Sequence, residues 1–141
     1  MPRFAANLSM MFTEVDFLDR FAAASRAGFK GVEYLFPYDY DRDELAEQLA
    51  RYRLTQVLHN LPAGDWAAGE RGIACHPDRV TEFQAGVGTA IEYAVALGCN
   101  QVNCLVGVAP EGIAPEILRQ TVVSNLKFAA VELHRAEVRL L

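Results

Sequence analysis

Long apolar runs are missing from this sequence. None approaches the roughly 18 consecutive residues of a membrane span, and the segment after Met1-Pro-Arg reads as a strand, not as the apolar stretch of a signal peptide. The expectation is a cytosolic protein. Cysteine is scarce: Cys75, Cys99 and Cys104 are odd in number and lack CxxC spacing, which argues against a disulfide framework and a zinc knuckle and suggests buried or half-buried free thiols. Positive charge is in the minority, 13 Lys and Arg against 18 Asp and Glu, and it is interspersed with acids. No basic stripe is offered to nucleic acid or to an anionic membrane. The three histidines include no pair at ligand spacing such as HxxxH, and no cluster completes a metal site. Ser/Pro-rich linkers, low-complexity segments and repeats are also lacking. What is present, 52% hydrophobic and 22% charged residues, suits one globular domain over residues 1–141 with a single sizeable core and a small, diffusing substrate.

Short apolar runs alternate with longer helical patterns, the signature of a parallel sheet with crossover helices. RFAANLS (3–9) reads as the first strand. Thr13 and Asp16 offer N-caps to a helix carrying Phe17, Phe21, Ala24 and Ala27, closed by Gly28. GVEYL (31–35) is the second strand, and Leu45, Ala46, Leu49 and Ala50 mark a helix to about Arg53. LTQVLHN (54–60) is the third strand. Pro77 stands at a first helical position before Val80, Phe83, Val87, Ile91 and Ala94, with Gly98 ending that helix. QVNCLVG (101–107) is the fourth strand, Pro115 to about His134 a fourth helix, and VRLL (138–141) opens a fifth strand at the end of the sequence. Two architectures accommodate this series: a doubly wound domain of flavodoxin type, or the first half of a (β/α)8 TIM barrel. The segment after the first strand, SMMFTEVD, has no glycine for a phosphate or flavin loop, which favours the α/β barrel: about four βα units plus the start of strand five.

Either architecture binds ligands at the carboxyl ends of its strands. The residues there are Asn7 and Ser9, Glu33 leading to Tyr38 and Asp39, His59 and Asn60, and Asn103 and Cys104. Asn7 and Asn103 interrupt apolar strands, where an amide needs a partner, either neighbouring backbone or a ligand. Glu33 in the middle of GVEYL is a group for substrate hydroxyls or metals, or else a solvated glutamate on an edge strand. His59 is a proton shuttle, a donor to a developing oxyanion, or a satisfied histidine at a strand end; His76 and His134 read as surface residues.

The stretch HNLPAGDWAAGERG (59–72) leads into a loop, 61–76, about three times the usual βα length, as binding loops and lids are. Gly64, Gly69 and Gly72 permit positive φ and close approach of backbone to a ligand. Trp66 could cover a pocket. Arg71 could clamp a carboxylate with its planar fork, or pair at the surface with Glu70 or Glu82.

FAANLSMMF, GFKGVEYLFPYDY, LHNLPAGDWAAGERGIACHP and NCLVG closely resemble the hydroxypyruvate isomerase family of xylose-isomerase-like TIM barrels, essentially end to end. The opening MPRFAANLSMMFTEV also resembles the sister 2-oxo-tetronate isomerases, which depart from this chain in the loop. The resemblance implies isomerisation of hydroxypyruvate to 2-hydroxy-3-oxopropanoate (tartronate semialdehyde), next to glyoxylate metabolism, by proton transfer through an enediol. It implies two glutamates as acid and base, and a divalent metal, Mg²⁺ or Mn²⁺ before Zn²⁺. It puts the first glutamate in a strand-five LLIEP-type motif and the second, with the remaining metal ligands, later still, so both lie beyond Leu141 and this chain alone is expected to be inactive. Within it, the implied substrate-binding set is Asn7, Glu33, His59, Asn60, Trp66 and Arg71: Arg71 on the substrate carboxylate, His59 and Asn60 on its oxygens, and Trp66 closing the site. No catalytic residue and no metal ligand is expected among the 141. The competing expectations are a 2-oxo-tetronate isomerase, a non-catalytic half-barrel pairing with a second copy or a partner as a homo-oligomer or complex, and, more weakly, a flavodoxin-like domain.

Overall fold

A computed structural model of the protein describes residues 2–141. Five strands and four helices alternate: β1 (Ala5–Asn7), α1 (Asp19–Arg26), β2 (Gly31–Glu33), α2 (Arg42–Tyr52), β3 (Thr55–Asn60), α3 (Val80–Ala96), β4 (Gln101–Asn103), α4 (Pro115–Arg135) and β5 (Arg139–Leu140). The strands are parallel and lie in the order β1-β2-β3-β4-β5. Each crossover adds its strand on the same side, as a closing barrel requires. A flavodoxin-type sheet reverses direction, with its first strand between the second and third, so that alternative is excluded.

Hydrophobic burial fixes the helices on one face of this sheet. Ala6, Leu8, Val32 and Tyr34 from β1, β2 and the residues just after them meet Phe21 of α1 and Leu45 of α2. Val102 of β4 meets Val87 and Ala90 of α3 and Ala129 and Leu133 of α4. The other face is the concave interior of the half-barrel. Among the described residues no helix is long and apolar enough to cross a membrane.

Several boundaries move from those the sequence suggests. Thr13 and Asp16 do not cap α1 with their side chains: Leu18 precedes the helix in helical conformation. The carbonyls of Asp16 and Phe17 instead accept from Asp19 and Arg20 as successive turns wind into the helix. Phe17 is held outside it by stacking on Tyr40 and edge contacts with Phe21 and Tyr34. Pro77 lies in the turn before α3, not at its first position, because the His76 carbonyl takes the Arg79 N–H and the helix begins at Val80. β4 stops at Asn103 instead of residue 107, since Val106 leaves the sheet to form an antiparallel bridge with Gly72 of the long loop. Pro115 does occupy the start of α4.

Candidate active site

Side chains alternate between the two faces of a strand, so the residue that neighbours a helix-facing one points into the barrel. Ala6 and Val32 face the helices, which turns the registered pair Asn7 and Glu33 inward. Val102 faces the helices, which turns the registered pair Asn60 and Asn103 inward. Each pair is joined: Asn7 Nδ2 donates to Glu33 Oε1 at 3.0 Å, and Asn103 Nδ2 donates to Asn60 Oδ1 at 2.8 Å. Four polar side chains thus line the inner face at the carboxyl ends of β1 to β4. Ser9 completes the β1 end: its N–H donates to Asn7 Oδ1, and its hydroxyl accepts from the Leu35 N–H.

His59 is not brought into this set. A register shift in the β2–β3 pairing places Leu58, not Val57, opposite Glu33. Such a bulge changes the facing of every later residue on the strand. His59 therefore registers with Val102 and packs toward α3, with its ring 6.2 Å from that of Tyr38. It is 1% exposed, and neither ring nitrogen has a hydrogen-bond partner among the described residues. Burial pushes its pKa down to about 4, opposed weakly by the Ala90 carbonyl, which does not reach hydrogen-bonding geometry. The imidazole is neutral. Tyr38, whose phenol burial keeps protonated, donates to the Asn60 carbonyl at 2.6 Å and fixes the end of β3.

The loop after β3 is organised around its own polar groups. Asp65 Oδ1 accepts from the Ala68 N–H, and the Asp65 carbonyl accepts from the Glu70 N–H. Gly72 and Gly107, both at positive φ, cross so closely that a β-carbon on Gly72 would overlap the Leu105 carbonyl and one on Gly107 the Gly72 carbonyl. At Gly72 the close approach is thus to another loop of the chain, not to a ligand. Trp66 is 37% exposed and meets Phe36 edge-on at 5.0 Å. Phe36, Tyr38, Asp39, Pro62 and Trp66 line a cavity of about 590 Å³. A larger hollow, about 870 Å³, opens at the amino ends of the strands between Phe4, Phe29, Lys30 and Val57. Neither hollow is lined by the four inward polar residues, and the larger one lies at the end that in barrels serves stability.

The Arg71 guanidinium lies 3.9 Å over the Trp66 ring, and its Nη1 donates to the carbonyls of Trp66 and Glu70 at 3.1 and 2.6 Å. Its Nε and Nη2 make no hydrogen bond among the described residues. The surface partners that the sequence offered it, Glu70 and Glu82, are both taken by Arg79. Sequence reasoning missed Arg79, although its i,i+3 spacing to Glu82 at a helix start is visible. It also missed Asn125, a buried amide within the apolar stripe of α4 that donates to the Ala74 carbonyl and ties the loop to that helix. Cys75, Cys99 and Cys104 are free thiols, and burial raises all three, Cys104 to about 11, which favours the protonated form.

Parallel strands in sequential order, outer helices and polar groups gathered at the carboxyl ends are the marks of a TIM barrel. The chain belongs to the xylose isomerase-like TIM barrel family, whose sequence model matches residues 21–141. It is 57% identical over all of its 141 residues to hydroxypyruvate isomerase of Escherichia coli (strain K12), covering 55% of that protein. It is 51% identical over 130 residues to 2-oxo-tetronate isomerase of Pectobacterium atrosepticum, with 92% of this chain and 50% of that protein aligned. The crystal structure of AP endonuclease, family 2 from Brucella melitensis superposes with a TM-score of 0.95 at 48% identity, over 99% of this chain and 54% of that one. The chain spans about half the length of the curated relatives it matches.

Proposed function

We propose that this chain forms the substrate-recognition half of an isomerase that interconverts hydroxypyruvate and 2-hydroxy-3-oxopropanoate. The observation that carries this is Arg71: a guanidinium stacked on Trp66, anchored to the loop through one nitrogen, with its other donors left for a carboxylate. In the reaction a proton leaves C-3 of hydroxypyruvate, an enediol forms across C-2 and C-3, and a proton is returned to C-2. Arg71 holds the carboxylate that does not react, while the inward amides of Asn60 and Asn103 meet the oxygens on which negative charge develops. Glu33, steadied by Asn7, accepts from a substrate hydroxyl, and Trp66 sheds water from the closed site.

The glutamates that move the proton are proposed to come from the half of the relatives' length that this chain does not span. The same holds for a Mg²⁺ or Mn²⁺ site. Among the described residues no three His, Cys, Asp or Glu side chains converge to hold a metal. The 51% identity to a 2-oxo-tetronate isomerase supports a second substrate, a four-carbon 2-oxo acid held in the same way. A cytosolic location accompanies both readings.

The test is kinetic. In the full-length protein, Arg71→Ala is expected to raise KM for hydroxypyruvate by about 10- to 100-fold, the worth of a charge-assisted bidentate contact, with kcat little changed. An unchanged KM contradicts the carboxylate role.

A further inference from the structure

The turn 65–70, which carries Trp66 and leads into Arg71, is closed by the carboxylate of its own last residue. One oxygen of Glu70, Oε2, accepts the Asp65 N–H at the start of the turn, and the other, Oε1, accepts from Arg79 Nη1. Arg79 stands immediately before α3 and holds Glu82, one turn into the helix, through Nε at 2.7 Å and Nη2 at 2.8 Å. One guanidinium therefore ties the turn to the start of the helix that packs on β4. Both members of the Arg79–Glu70 pair are mostly covered, with side chains 24% and 28% exposed.

Gly64 lies against the same carboxylate. It has φ +78, and a β-carbon there would overlap Glu70 Oε2. The glycine is needed for the carboxylate to reach the Asp65 N–H, so residue 64 and residue 70 serve one arrangement. Arg71 comes directly after Glu70, and its Nη1 bonds to carbonyls at the two ends of the turn, on Trp66 and Glu70. Where the Glu70 carboxylate is fixed, the Arg71 guanidinium is fixed with it.

We propose that Arg79 is the positioning residue of the recognition loop: acting through Glu70, it sets where Trp66 and Arg71 stand without itself meeting the substrate. The proposal rests on the reading of this loop as the carboxylate-recognition element. It is tested in the full-length protein by Arg79→Ala, Arg79→Lys and Glu82→Gln, with two readouts. The first is acrylamide quenching of Trp66 fluorescence, isolated as the difference from a Trp66→Phe variant. The second is the split between KM and kcat.

Arg79→Ala is expected to expose Trp66 to quencher and to raise KM about tenfold with kcat within about twofold, the pattern of lost preorganisation. Arg79→Lys, with one compact donor in place of a fork, is expected to fall between wild type and alanine. Glu82→Gln, which weakens the anchor of Arg79 but leaves the Glu70 contact, is expected to fall between wild type and Arg79→Ala in both readouts. In the double variant Arg71→Ala/Arg79→Ala, KM is expected to equal that of Arg71→Ala alone, because the second residue acts through the first. Unchanged quenching in Arg79→Ala overturns the proposal. So does raised quenching with an unchanged KM when Arg71→Ala does raise KM. If instead Arg71→Ala leaves KM unmoved, the recognition reading fails, and the quenching arm alone decides whether Arg79 positions the loop.

Discussion

Burial gives His59 a pH dependence that folding itself creates. Folding places it among apolar side chains without a partner for either nitrogen, and its pKa falls to about 4 from an ordinary value of 6.5. Between those two values the unfolded chain binds a proton that the folded chain refuses, so stability is complete above pH 6.5 and is lost as pH falls toward 4. The loss amounts to about 3 kcal/mol. Replacement by leucine removes the titration, and the difference in unfolding free energy between pH 7 and pH 4, measured by urea denaturation, is expected to shrink by that order in His59→Leu. An equal acid loss in both proteins contradicts the assignment. At this scale the sequence was legible where a polar residue interrupts an apolar strand: Asn7, Glu33 and Asn103 all proved to be inward-facing and paired. His59 had the same signature and faces the other way. The bulge between Gln56 and Leu58 that turns it arises from pairing with β2, and no local property of β3 reports such a register shift.

The elements and their order were readable because period and punctuation agree, as where Pro115 opens α4. What the pattern missed was how two loops cross. Val106 reads in the sequence as continuing β4, yet it pairs with Gly72, and the glycines at 72 and 107 let the two backbones meet. This separates two glycines that look alike in the sequence. Gly69, also at positive φ, has open space around it, so Gly69→Ala is expected to cost about 1 kcal/mol from backbone conformation alone. Gly72→Ala drives a β-carbon into the Leu105 carbonyl and is expected to cost about 3 kcal/mol or more, with the loop displaced. Equal costs for the two, measured by chemical denaturation, would mean that the crossing does not hold the loop against the β4–α4 connection.

At the scale of the whole molecule, the sequential parallel sheet puts every inward polar pair at one end of the strands and leaves the other end without them. In the proposed function, Arg71, Trp66 and the Asn60–Asn103 pair supply recognition. The chemistry of isomerisation also demands an acid and a base, and the inward carboxylate of Glu33 is already tied to Asn7. Recognition and proton transfer would then be the work of different halves of the barrel. This division is tested most directly by the turnover of hydroxypyruvate to 2-hydroxy-3-oxopropanoate, measured side by side for the full-length protein and for the 141-residue chain. The expected result is turnover by the full-length protein, with a higher kcat/KM than on a 2-oxo-tetronate, and none by the 141-residue chain. Full-length protein that isomerises neither 2-oxo acid, or clear turnover by the 141 residues alone, would contradict it.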